Sequence, residues 1–439
     1  MPVPRSPIPS LAFDLTRLIT RLRHASPSGI DRVDLAYARH VLAQEGARFG
    51  LVSTAFGPRV LDRAEAIGIV EAVAAGWVED LDALQDPVYR RLAASLGTEP
   101  VEPALAPSER RSGETDRRRM QARTVATVLR AHGPEILPHG TVYLHSSHLR
   151  LDKPERFDWL YDRRDIRPVF FVHDLIPIDY PEYGRPGEAR RHRIRMETIA
   201  RHAAHVLVNS RDVGDRFLRH CAANGLPKRP VTVALLGVEP VFRPAGEGPS
   251  LTPTRPTFVV CGTIEPRKNH LSLLHLWRDL AERHGAETPR LVLVGRRGWE
   301  AENIIDMLER CPAMAEHVTE VSGLSSHGLA ALMRSGTALL MPSFAEGYGL
   351  PVVEAAACGL PVVASDLAVH REIGAGFAEF LDPLDGPGWR EAVEALARPE
   401  STLRRTLLTR ILGAPLPNWT NHFATVDDAL SEVICGPDA

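Results

Sequence analysis

The feature that most constrains this chain is an alternation. Short runs of β-branched and aromatic residues recur at near-regular intervals, and stretches with helical periodicity separate them. In the second half the runs are TFVVCGT (257–263), RLVLVG (290–295), HVTEVSG (317–323), ALLMPS (338–343) and PVVASD (361–366). Helical patterns at 270–284, 300–310, 326–335 and 351–358 separate them. Apolar runs this short read as strands buried on both faces, and strands alternating with helices build a parallel sheet covered on both sides. The first half repeats the theme less regularly. LAFDL (11–15), GLVSTAF (50–56), TVYLH (141–145), PVFFVHDL (168–175), AHVLVNS (204–210) and VTVALLG (231–237) read as strands, and 30–44, 62–98, 187–203 and 211–222 as helical. Between the halves, FRPAGEGPSLTPTRP (242–256) is rich in Pro and Gly and reads as a linker. The expectation is an α/β chain of two Rossmann-like domains, 1–241 and 257–415, joined by 242–256. A terminal helix within 416–439 follows, able to pack back on the first domain.

Length and charge narrow the function. A chain of 439 residues holds about two or three domains and buries a core without disulfides or metals. Hydrophobic residues at 44% and charged residues at 24% exclude a disordered chain, a fibre and a disulfide scaffold. The balance of 52 basic against 55 acidic side chains argues against a polycation that coats nucleic acid. The charged stretch 107–123 carries no interleaved aromatic residues, so it reads as a solvated loop entering a helix. The cysteines (Cys221, Cys261, Cys311, Cys358, Cys435) form no C-x-x-C pair and no zinc spacing, and read as reduced thiols of a cytosolic protein. No continuous apolar stretch of a signal peptide opens the chain, and no run of about 18 apolar residues occurs. Only three of the basic residues are lysines: Lys153, Lys228 and Lys268.

The richest stretch is MPSFAEGYGLPVVEAAACGLPVVASD (341–366). A buried strand ends at Met341–Pro342, a loop carries Glu346, Gly347, Tyr348 and Gly349, and a helix starts near Pro351, a residue suited to a first helical position. Glycines let backbone approach a ligand closely, and the free amides at a helix start suit a phosphate or diphosphate. Glu354 reads as a first-turn carboxylate able to accept from a ribose diol, or else as an acidic cap of the helix. A second piece, VVCGTIEPRKNHLSLL (259–274), sets Arg267 and Lys268 in a turn between strand and helix. A guanidinium fork and a point ammonium there suit a leaving diphosphate; an exposed basic turn is the plainer reading.

The string E-G-Y-G-L-P-V-V-E-A, with seven residues between Glu346 and Glu354, resembles the E-x(7)-E signature of retaining glycosyltransferases of family 4, which have the GT-B fold. The string G-T-I-E-P-R-K-N from Gly262 and Thr263 onward is similar to the variant found among mannosyltransferase-like members. Many relatives carry Arg where this chain has Thr263, which leaves Arg267 and Lys268 as the phosphate cations. The resemblance implies two Rossmann-like domains facing across a cleft, a nucleotide diphosphate-sugar as co-substrate, no other cofactor and no metal. The amides of Gly347–Leu350 would meet the diphosphate, and Glu346 would orient the donor sugar.

Three further segments extend it. FFVHDLIPIDYPEY (170–183) ends a strand in His173–Asp174, where the family places a histidine near the transferred sugar. Asp174 would hold the histidine tautomer or cap the next turn. RHASPSGIDRVDLAYA (23–38) resembles the family's N-terminal glycine loop, with the amide near Gly29 and the Arg32 side chain as contacts for donor phosphate or acceptor. AHVLVNSRDVGDRF (204–217) offers Ser210 as a helix cap and Arg211 as a secondary contact. The basic stretch 189–205 reads as a solvated helix face, with an anionic lipid-linked acceptor or the inner membrane surface as its alternative partner.

The expectation is a cytoplasmic enzyme that moves a sugar, with retention, from a nucleotide diphosphate-sugar to a glycan or lipid-linked hydroxyl in surface-polysaccharide synthesis. GDP-mannose is favoured as donor and a UDP-sugar comes next. A nucleotide-sugar epimerase, or an inactive binding scaffold of the same fold, stays open on sequence alone.

Overall fold

The computed structural model describes residues 8–22, 27–77, 81–97, 114–244 and 250–435, without side chains for 114–118. Contacts divide the chain into two units.

The first unit is built on a seven-stranded sheet. Its strands are β1 (Ser10–Asp14), β2 (Ala47–Thr54), β3 (Gly57–Leu61), β4 (Val142–His145), β5 (Arg167–Val172), β6 (His205–Val208) and β7 (Val231–Val233). Their order is β3-β2-β1-β4-β5-β6-β7. All neighbours are parallel except the hairpin β2–β3. The central strands are wholly buried because helices cover both faces, and Phe13, Tyr143, Phe170 and Phe171 fill the layers beside them. Each such side chain contributes about 2–3 kcal/mol by leaving water. The closing helix Trp419–Cys435 belongs to this unit. His422 Nε2 lies 2.9 Å from the Tyr37 hydroxyl and its Nδ1 3.0 Å from the Leu235 carbonyl. Arg167 donates to the last-turn carbonyls of Val433 and Ile434.

The second unit has a six-stranded, wholly parallel sheet in the order β10-β9-β8-β11-β12-β13. These are β8 (Thr257–Cys261), β9 (Arg290–Val294), β10 (Val318–Val321), β11 (Ala338–Met341), β12 (Val362–Ser365) and β13 (Glu379–Leu381). Trp277, on the helix His270–His284, is fully buried, packs edge-on against Phe258 and donates to the Pro289 carbonyl at 2.9 Å. The helix Leu350–Ala357 follows β11 after the loop 342–349, which carries Gly347 and Gly349. Its buried face (Val352, Val353, Ala355, Ala356) lies within the unit's core layer.

Several sequence expectations change. Residues 62–98 are not one helical stretch. Asp62 caps a helix Arg63–Ala75, and a second helix, Pro87–Ser95, starts afresh from the Asp86 cap, where Pro87 fits a first helical position. The first domain is not the continuous span 1–241, because 81–97 cluster with the second unit. There the Asp86 carboxylate accepts from the Ser325 amide at 2.8 Å, a bond that no local pattern announces. The strand at 50–56 ends at Thr54, and Gly57 at φ +95° turns the chain into β3. The linker 242–256 and the charged stretch 107–123 lie partly outside the described residues, as do 23–26 of the glycine-loop segment. Among the described residues no helix is long and apolar enough to cross a membrane.

Candidate functional site

In the second unit the two motif-bearing turns meet. β8 ends at Cys261, and Gly262, at φ +141°, turns the chain so that a Cβ there would sit 3.1 Å from the Lys268 side chain. The short 3-10 turn Pro266–Lys268 then presents both cations. Asn269 closes it in a left-handed conformation at φ +56°, which Asn tolerates better than most residues. Its side-chain Nδ2 donates to the carbonyls of Pro342 (3.1 Å) and Pro383 (3.0 Å), and the Phe344 backbone amide donates to the Arg267 carbonyl at 2.8 Å. These bonds fasten the turn after β8 to the turn after β11.

Glu346 stands where the two turns join. One carboxylate oxygen accepts from Lys268 Nζ at 2.5 Å and from Ser343 Oγ at 2.6 Å. The other accepts from Arg267 at 2.9 Å, and the same guanidinium nitrogen reaches the Ala345 carbonyl at 2.8 Å. Arg267 Nε also lies 2.6 Å from the Glu265 carboxylate. Burial works to raise the Glu346 carboxyl, but Lys268, Arg267 and His370 outweigh it and hold it well below the ordinary range. Burial lowers the Lys268 ammonium, and Glu346 opposes that shift. Burial raises Glu265 against the pull of Arg267. Two cations against two carboxylates, almost dry, form a compact group that an incoming polyanion would meet at full electrostatic strength.

The glycine turn follows directly. Gly349 has φ +105°, and a Cβ there would lie 3.2–3.3 Å from the His370 ring. His370 is fully buried, its Nδ1 lies 2.9 Å from the Ser365 carbonyl, and burial lowers its pKa against the pull of Glu346. Gly347 is partly open, and Tyr348 is buried at the head of the helix. Glu354 is buried at 2% exposure but lies just past the first turn, since the helix already begins at Leu350 and its first turn holds no acid. Thr263, half-buried, packs so that a Cβ on Gly298 would sit 2.7 Å from its methyl.

The remaining residues belong to the first unit. His173 lies one position beyond β5, its Nε2 2.6 Å from the Ser146 carbonyl. Burial brings its pKa down to about 4, so the ring is neutral. Asp174 accepts from the Ile176 amide at 3.1 Å and so caps the next turn rather than holding the histidine. His192 Nε2 lies 3.0 Å from the Asp174 carbonyl. Gly29 is the exposed first residue of the helix Gly29–Ala43, whose cap Ser28 exchanges bonds with Asp31. Asp31 is gripped in turn by Arg17 (2.6 Å) and Arg21 (3.0 Å). Arg32 is half-buried on the same helix. Ser210 caps the helix Arg211–Ala223 through the Val213 amide at 3.2 Å, and Arg211 is the exposed residue after it. Four members of the second-unit cluster were not among the candidate residues: Glu265, Asn269, Ser343 and His370. Glu265 and Asn269 lie inside the quoted G-T-I-E-P-R-K-N string, whereas nothing local marks His370. Among the described residues no group of three or more His, Cys, Asp or Glu is arranged to hold a metal ion.

Two Rossmann-like units, the second with this charged cluster at the carboxyl edge of its sheet, give the chain the GT-B fold. Residues 255–398 match the family described as Glycosyl transferases group 1. The chain is 30% identical over 221 residues to the serotype-specific mannosyltransferase WbdA of Escherichia coli, covering 46% of this chain and 26% of that protein. It is 32% identical over 147 residues to O-antigen chain mannosyltransferase B of Escherichia coli, covering 30% of this chain and 38% of that one. The chain thus spans about a quarter to two fifths of the length of these relatives. Among solved structures it is similar to sucrose-phosphate synthase from Thermosynechococcus elongatus (TM-score 0.59, 16% identity, 97% of this chain and 99% of that one). It is likewise similar to HepE from Anabaena in complex with UDP and glucose (TM-score 0.60, 14% identity, 96% and 99%).

Proposed function

We propose that this chain is a retaining, metal-independent hexosyltransferase. It moves a sugar, mannose foremost, from a nucleotide diphosphate-sugar to a hydroxyl of a glycan or lipid-linked acceptor in surface-polysaccharide synthesis. The observation that carries the reading is the meeting of Arg267, Lys268 and Glu346 beside the glycine turn. Cleavage of the glycosidic C–O bond leaves negative charge on the β-phosphate. Two fixed cations and the amides heading the helix Leu350–Ala357 stabilise that charge as it develops, in a site already dry. Glu346, ionised and held by three donors, presents a fixed acceptor to sugar hydroxyls. The likeness to two proteins named as mannosyltransferases supports mannose as the sugar, and we take GDP-mannose as its donor; the UDP bound to HepE keeps UDP-sugars as the second choice.

The test is a panel of GDP- and UDP-sugars, scored first by nucleotide-dependent thermal shift and then by mass detection of product with EDTA present. Transfer from a GDP-sugar, with the anomeric configuration kept by NMR and EDTA without effect, is the expected result. Epimerised sugar formed from donor alone, or no thermal shift with any nucleotide, would overturn it.

A further inference from the structure

Away from Glu346, the first unit buries a second polar network. Asp34, in the helix Gly29–Ala43, is fully buried. A buried carboxylate is costly unless its oxygens are satisfied. One oxygen of Asp34 lies 2.5 Å from Ser146 Oγ and the other has no hydrogen-bond partner. Arg17 is the cation nearest to its influence, and Asp14 and Asp31 repel it. The one bonded oxygen of Asp34 holds the Ser146 side chain in place.

Ser146 is in a position to need it. The last ladder pair of β4 with β5 is His145↔Phe170, so the sheet does not fix the next peptide. The carbonyl of that residue is the one that meets His173 Nε2 at 2.6 Å. The His173 backbone is held separately, its amide donating to His148 Nε2 at 3.2 Å and its carbonyl accepting from Asn209 at 3.0 Å. A carbonyl only accepts, so Nε2 carries the proton of the neutral ring and Nδ1 is left as its acceptor.

We propose that Asp34 is a positioning residue. Through the Ser146 side chain it fixes the Ser146 carbonyl, and so locks His173 in the Nε2–H tautomer, which leaves Nδ1 as the acceptor at the carboxyl end of β5. The expected loss of turnover rests on the proposed transferase reading together with the resemblance, which implies that a histidine at this position serves the reaction. The charged and titratable groups around the ring are Asp174, Arg17, His145 and His148. None of them supplies the contact that Ser146 makes.

The test compares wild type with Ser146→Ala, Ser146→Thr, Asp34→Ala, Asp34→Asn and the double alanine variant. Histidine ring nitrogens are 15N-labelled, and the His173 signals are assigned by their loss in His173→Gln. Wild type, Ser146→Thr and Asp34→Asn should show the Nε2–H signature, because each keeps a hydroxyl donor and an oxygen acceptor. Ser146→Ala and Asp34→Ala should show mixed tautomers. Their kcat should fall about tenfold with donor KM within about twofold, and the double variant should fall no further. Folded alanine variants that keep the wild-type signature, or losses that add in the double variant, would overturn the proposal. If Asp34→Ala does not fold, Ser146→Ala decides alone. If wild type transfers no sugar, the transferase reading fails while the NMR comparison still decides the tether.

Discussion

Lys268 and Glu346 are each other's nearest charge, and neither has water to fall back on. Replacing either with Ala should lower transfer by about two to three orders of magnitude, since the change removes preorganised charge rather than bulk binding surface. Circular dichroism should show the fold retained, because Arg267 and Ser343 still hold Glu346 in one variant and Glu265 still faces Arg267 in the other. The pair also sets an acid limit. Glu346 titrates below its ordinary value of 4.5, so the stability it lends is present above that pH and is lost as pH falls through the folded value. Glu346→Gln should therefore flatten the acid limb of a Tm-against-pH curve. Asp34 runs the other way. Burial raises it from 3.8 to about 7, so its contribution is complete below 3.8 and is lost as pH climbs to about 7. Asp34→Asn should raise Tm relative to wild type by about 5 °C more at pH 8 than at pH 5, with Arg17, Asp31 and Asp14 unchanged around it.

At the scale of elements, the turns depend on close backbone approach. A Cβ on Gly295, just past β9, would lie 1.9 Å from the Gly262 carbonyl oxygen. Gly295→Ala must push the end of β8 aside, which should cost more than about 2 kcal/mol in denaturant titration and weaken nucleotide binding with it. Gly349→Ala meets both a positive φ and the His370 ring; about 1–2 kcal/mol of strain should appear mainly as weaker nucleotide affinity by calorimetry. The same elements mark how far sequence carries. Thr257–Cys261 and Ala338–Met341 are legible because burial on both faces leaves an unbroken apolar run. Gly57–Leu61 is not, since GPRVL is an edge strand whose pairing is decided by β2 and not by its own pattern. Glu379–Leu381 is too short to carry a period. In the site, Arg267, Lys268 and Glu346 were readable from two strings 78–79 residues apart, but only folding reveals that they pair. His370 and Asp34 left no trace, because each sits among other charged residues of its helix, Arg371 and Glu372 in one and Asp31 and Arg32 in the other, and sequence does not tell which of them turns inward.

At the scale of the molecule, the helix Trp419–Cys435 is a structural part of the first unit. His40 stacks on Phe423 with ring centroids 3.9 Å apart, and its Nε2 lies 3.0 Å from Asp427. Removing 419–439 should strip amide protection from β5, β6 and β7 in hydrogen-exchange mass spectrometry while leaving β8 to β13 protected. The second unit should answer to donor instead, with nucleotide slowing exchange in the turns after β8 and β11.

The first sheet takes its strands from the opening 237 residues but its cover from the final stretch, and the intervening chain builds the other unit. On the ribosome, then, strands that emerge before residue 238 wait for a cover that emerges only some 180 residues later, a window in which their apolar surface is open to self-association.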